Sequence, residues 1–112
     1  ETFARAQNKK VLFVLSYPPK SVTRFAKEAV RADQSFVDFL KRRASPVVDL
    51  MSEHMSDFAL FKGDIKDYVT KHWVGHYNPR GNFFCAQAIL PRLIEMLNPK
   101  PLCQRAETAL MK

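Results

Sequence analysis

The chain's main chemical resources are three histidines, six serines and two cysteines. Histidine titrates nearest to neutrality, so one held at the edge of a pocket can take a proton from a hydroxyl nucleophile. His76 has the most informative surroundings, Trp73-Val74-Gly75-His76-Tyr77-Asn78-Pro79-Arg80-Gly81-Asn82. Gly75 and Pro79 interrupt regular structure on either side, so a loop is expected to present the imidazole. Trp73 and Tyr77 flank it and wall a pocket or pack a lid. Asn78 is a favoured helix cap, with Pro79 at the first helical position, where its missing N–H costs nothing. Arg80, at the start of that helix, is placed to hold an anionic group or to sit solvated. His72 and His76 have the i, i+4 spacing of a zinc pair on a helix. No Glu follows His72, and Gly75 and Pro79 argue against a continuous helix there, so no metal and no other cofactor is expected. His54, in the polar stretch Ser52-Glu53-His54, is expected to face solvent.

A nucleophile is harder to find. Ser16, Ser21, Ser35, Ser45, Ser52 and Ser56 include no Gly-x-Ser-x-Gly elbow and no Gly-Asp-Ser block. Ser16 directly follows an apolar run and is the least implausible of them. Cys85 and Cys103 lack metal-ligand spacing and form either one disulfide or two thiols, which leaves the cellular compartment open. The default role for Cys85 is core packing.

The elements that must position these groups follow from patterning. Val11-Leu12-Phe13-Val14-Leu15 is a short apolar run stopped by Tyr17-Pro18-Pro19 and reads as a strand buried on both faces. Ser21 is expected to cap a helix through Phe25, Ala26, Ala29 and Val30. Asp33 is expected to cap a second stretch with Phe36, Phe39 and Leu40 on one face and Lys41-Arg42-Arg43 at its end. Pro46-Val47-Val48-Asp49-Leu50 reads as a second strand, so residues 21–43 form the crossover of a βαβ unit. Asp64 caps a short helix through Tyr68 and Val69. Phe83, Ala86, Leu90, Leu93, Ile94 and Leu97 set the apolar spacing of the last helix, which Asn98-Pro99-Lys100-Pro101 ends. Residues 102–112 read as a tail. Two strands do not make a sheet that buries both faces, and a two-stranded unit is marginal in water. The pattern therefore expects further strands from a preceding half, a second chain or an oligomer.

This order of elements, with the block from Gly75 to Asn82 before an amphipathic helix, resembles the C-terminal half of the SGNH (GDSL-like) hydrolase superfamily over roughly residues 9–101. His76 matches the family's histidine, Asn78-Pro79 and Gly81 its turn and helix opening, and Val11 to Pro19 the strand and proline turn before its last crossover. The resemblance implies a three-layer α/β/α, flavodoxin-like parallel sheet with strands missing from this chain. It makes residues 1–101 the C-terminal portion of such a domain. It implies that His76 is the general base of a serine ester hydrolase, with Trp73, Tyr77, Asn78 and Arg80 about the substrate. The Gly-Asp-Ser block and the Gly and Asn oxyanion donors have no counterpart here. An N-terminal half or companion chain would supply them, and a small carboxylic ester, acetylated sugar or lipid would be the substrate. The family's acid lies three residues before the histidine, where this chain has Trp73. That points to a Ser-His dyad or an acid from elsewhere.

Composition sets the outer bounds. Of 112 residues 46% are hydrophobic and 26% charged, an ordinary globular balance. A net charge of +7 favours polyanions, but Lys9-Lys10 and Lys41-Arg42-Arg43 are short and not interleaved with aromatics, as a single-strand platform would be. A solvated basic face is the plainer reading, so nucleic acid is not expected as a partner. No run approaches the ~20 apolar residues of a membrane span. Two other functions remain beside the hydrolase: a non-catalytic binding or scaffold module of the same fold, favoured by Trp73 at the acid position, and a small basic nucleic-acid-binding protein.

Overall fold

The computed structural model describes residues 1–102. After a short helix α1 (Thr2–Ala6), the first apolar run becomes strand β1 (Phe13–Leu15). Helices α2 (Pro19–Glu28) and α3 (Gln34–Lys41) then carry the chain to β2 (Val47–Asp49). The two strands pair in parallel, with Phe13 opposite Val47 and Leu15 opposite Asp49. A parallel pair requires such a crossover. The architecture is thus mixed α/β, largely helical, around a two-stranded parallel sheet.

The crossover differs from its expected form in three ways. Helix α2 starts at Pro19, two residues before Ser21, with Pro18 as its N-cap; a proline in the first turn forfeits no helical bond. The helix stops where Ala29 takes a left-handed conformation (φ 54°), which cuts the helical ladder. Asp33 does stand at the head of α3, but its side chain makes no cap bond. Its carboxylate instead accepts from Tyr17 Oη at 2.6 Å and Arg31 Nε at 3.0 Å. Arg31 also reaches Asp49 at the end of β2, with Nη1 2.6 Å and Nη2 3.1 Å from its oxygens, and it donates to the Tyr17 hydroxyl. The side chains of Arg31 and Asp49 are each only 7% exposed. One buried guanidinium therefore ties the segment after β1, the α2–α3 break and the end of β2 together.

Asp49 also caps α4 (Leu50–Leu60), accepting from the Met51 N–H at 3.2 Å and from Ser52 Oγ at 3.0 Å. Asp64 caps α5 (Ile65–His72) as its sequence position implies. The expected loop around His76 is a tight hairpin, β3 (Trp73–Val74) paired antiparallel with β4 (His76–Tyr77). Gly75 makes its turn with φ 76°, a region that suits glycine. Asn78 and Pro79 open α6 (Pro79–Leu97), and Asn98 ends it in a left-handed conformation. No helix among the described residues is long and apolar enough to cross a membrane. Of the tail, only Leu102 is described; Cys103 and its pairing lie outside the described residues.

The core gathers Val22, Met51, Ile65, Tyr68 and Trp73, with Phe25, Met55, Phe58, Phe61 and Tyr77 packed against it. It thus lies between α2, α4, α5 and the hairpin. Two helices are rotated from their expected settings. In α3, Val37 and Leu40 are buried, while Phe36 and Phe39 face outward and stack on each other. In α6, Phe84, Cys85, Ala88 and Ile89 turn inward, and Phe83, Leu90, Leu93, Ile94 and Leu97 are exposed. The rotation of α6 has a local cause. Gly81 is its one fully buried residue, and a methyl group there would overlap the His72 carbonyl oxygen and the Tyr77 ring. That close approach brings Phe84, one turn on, over the His54 ring at a centroid distance of 4.1 Å.

Candidate functional site

His76 is exposed on β4. Its Nδ1 lies 2.8 Å from the backbone carbonyl of Tyr77. A carbonyl oxygen can only accept, so Nδ1 carries the ring proton and Nε2 is the basic nitrogen. Among the described residues no carboxylate hydrogen-bonds this ring. Asp64 accepts from the Asp67 N–H at 2.8 Å as a helix cap, and Asp57 accepts from Tyr68 Oη at 2.9 Å.

The other residues of the predicted pocket are brought close in sequence but turned to different tasks. Trp73 is buried and stacks on Tyr77, with ring centroids 4.9 Å apart. Asn78 is committed to structure: its Oδ1 accepts from the Gly81 N–H at 2.9 Å and its Nδ2 donates to the Lys71 carbonyl at 3.0 Å. Arg80 is exposed in the first turn of α6. Tyr77 is half-buried, and its hydroxyl points inward to His54 Nε2 at 2.7 Å. Burial pushes that phenol up to about 12, nearby Cys85 adds to the effect, and the Ser16 hydroxyl beside it offsets part. Ser16 itself is exposed just past β1, at the carboxyl end of a strand, where α/β sites form. His72 and His76 do not act as a pair. His72 is buried at the end of α5, its Nδ1 2.9 Å from the Tyr68 carbonyl, while His76 is exposed beyond Gly75. A cavity of about 220 Å³ opens elsewhere, lined by Tyr17, Ser21, Arg24, Arg31, Asp33 and Met51.

His54 is the main correction to the sequence reading. It is fully buried, not solvent-facing. Its signal is helical spacing: Met51, His54, Met55 and Phe58 stand at i, i+3, i+4 and i+7, so they share one face of α4. The polar neighbours Ser52 and Glu53 lie on the other side of the helix. His54 Nδ1 is 2.9 Å from Tyr68 Oη, which gives its single proton to Asp57. Tyr68 must therefore accept from His54, so Nδ1 is protonated and Nε2 accepts from Tyr77 Oη. A directed chain results, Tyr77 to His54 to Tyr68 to Asp57. Burial holds the His54 imidazole neutral, with its pKa pushed down to about 4; the nearby His72 adds to this and Asp57 partly opposes it. Burial and the bond to Asp57 likewise push the Tyr68 phenol well above its ordinary range.

The seam between α6 and the hairpin makes a prediction about Gly81. Gly81→Ala should destabilise the protein by about 1–3 kcal/mol, because the added methyl meets a backbone oxygen that has little freedom to move. Urea unfolding would check this, and a midpoint equal to that of the unaltered protein would contradict the packing described. Comparison of the chain with protein-family models, curated proteins and solved structures finds no match.

Proposed function

We propose that this chain is the histidine-bearing C-terminal portion of an SGNH-like serine ester hydrolase, within a three-layer parallel α/β sheet completed by other polypeptide. His76 is the general base, and the serine and oxyanion donors come from outside these residues. The observation that carries the reading is the state of His76. Its Nδ1 proton is bound by the Tyr77 carbonyl, and the residue is exposed just ahead of α6 with no protein hydrogen bond at Nε2 among the described residues. A base for a hydroxyl nucleophile needs that tautomer and that access. The uncovered apolar side chains support a sheet and helix layer continued by a companion: Val14 on β1, and Phe83, Leu90, Ile94 and Leu97 on α6. In this setting Arg80, exposed in the first turn of α6, would meet the ester, and the buried Trp73–Tyr77 stack would back the histidine from inside.

The test is hydrolysis of p-nitrophenyl acetate by the native species, with serine labelling by a fluorophosphonate. His76→Ala should lower the rate at least about a hundredfold while the protein stays folded. Undiminished hydrolysis by that variant would defeat the proposal. Trp73 favours a second reading, a non-catalytic binding module of this fold, because a buried indole stands where the family has its acid. Absence of both hydrolysis and labelling in the native species would favour that reading.

A further inference from the structure

We propose that His54 is a positioning residue for His76, acting through Tyr77 in the place of the missing orienting acid. Tyr77 contributes at both of its ends. Its backbone carbonyl accepts the Nδ1 proton of His76 at 2.8 Å. Its hydroxyl donates to His54 Nε2 at 2.7 Å. The residue that sets the His76 tautomer is thus anchored in the core by His54, and its ring stacks on Trp73 and lies close against Gly81.

His54 is itself held. Its Nδ1 donates to Tyr68 Oη, and Phe84 lies over its face with ring planes 18° apart. Tyr68 in turn is fixed by Asp57. A carboxylate three residues before the histidine would orient the ring and select its tautomer. Here that position is Trp73, and a carbonyl with a rigid backing performs both tasks. Orientation and tautomer selection through an outer partner is a general means of tuning a histidine.

The inference rests on the proposed hydrolase reading only in giving Nε2 a catalytic use, and its test does not require activity. Long-range ¹H–¹⁵N spectra of the imidazoles report the tautomer of His76 directly. The unaltered protein at pH 8 should show His76 protonated on Nδ1. Tyr77→Phe keeps the ring and its stack on Trp73 but breaks the bond to His54; His54→Gln breaks it from the other side. Both should shift His76 toward the Nε2–H form that a free imidazole prefers. A His76 that keeps its Nδ1 proton in a folded variant, judged by circular dichroism, would overturn the inference. So would an unaltered protein whose His76 is not protonated on Nδ1, or whose His54 carries its proton on Nε2 and so cannot accept from Tyr77; the same spectra read both without any variant. An inactive native species with the expected tautomer shifts would defeat the hydrolase reading and uphold this one.

Discussion

Replacing Arg31 by methionine is expected to destabilise the protein by about 3–5 kcal/mol, the cost of leaving a buried charge without its partner. The guanidinium is 7% exposed and meets Asp49, Asp33 and Tyr17 together. Without it, Asp49 keeps only the Met51 N–H and Ser52 Oγ as donors. Both Asp33 and Asp49 have their pKa values lowered. For Asp33 the Arg31 bond is the largest influence; for Asp49 burial opposes the lowering, and the Arg31 and Ser52 bonds outweigh it. Carboxylates with depressed folded pKa values contribute stability above their unfolded values, and that stability is lost as pH falls through the folded ones. In Arg31→Met the Asp49 carboxyl should rise instead. The deficit of the variant should therefore shrink as acid protonates Asp49 in both proteins. Arg31→Met with Asp49→Asn should recover part of the loss, since an amide needs no counter-charge and still offers an oxygen to the α4 cap. Urea denaturation of the three proteins at pH 7 checks this. A loss under about 1 kcal/mol for the single variant would show that the cluster is solvated.

Acid should weaken the protein before its carboxylates titrate, and His54 is the reason. Its ordinary pKa of 6.5 is pushed down to about 4 in the folded state. Between those values the unfolded chain binds the proton and the folded protein does not, so stability falls as pH drops through that window. The whole window corresponds to roughly 3 kcal/mol, because each tenfold difference in proton affinity between the two states is worth about 1.4 kcal/mol. The groups facing His54 are His72, Asp57 and the hydroxyls of Tyr68 and Tyr77. Only Asp57 favours the charged imidazole, and its nearer partner is Tyr68. His54→Gln is expected to start less stable at pH 7 but to lose most of the slope between pH 6.5 and 4.5. Urea midpoints measured across that range check this. Equal slopes in the two proteins would mean that His54 takes up its proton without unfolding.

The two strands and the caps of α5 and α6 are written in local residues, whereas the break at Ala29 and the bare head of α3 are not. Val11 to Leu15 and Pro46 to Leu50 encode short strands by composition. Asp64, Asn78-Pro79 and Asn98 mark helix ends through side-chain bonds and backbone preference, interactions that span only three or four residues. The parallel pairing of the two strands follows from the helical segment between them. A hairpin of two residues a side at Trp73–Tyr77 is too short to carry a periodicity, so the segment reads as a loop.

What sequence determined by itself is therefore the βαβ unit, the capped helices α5 and α6 and the place of His76 ahead of the last of them; α1, α4 and the hairpin had no such signal. Tertiary structure alone decided which helical faces meet the core. The apolar stripes on α3 and α6 are wider than the contact each helix makes, so spacing left their rotation open. Gly81 against His72 and Phe84 over His54 then set it for α6. Tertiary contacts also decided that His54 is an internal anchor. A histidine amid Ser52 and Glu53 becomes buried only when Tyr68 and Tyr77, fourteen and twenty-three residues away, satisfy both its nitrogens.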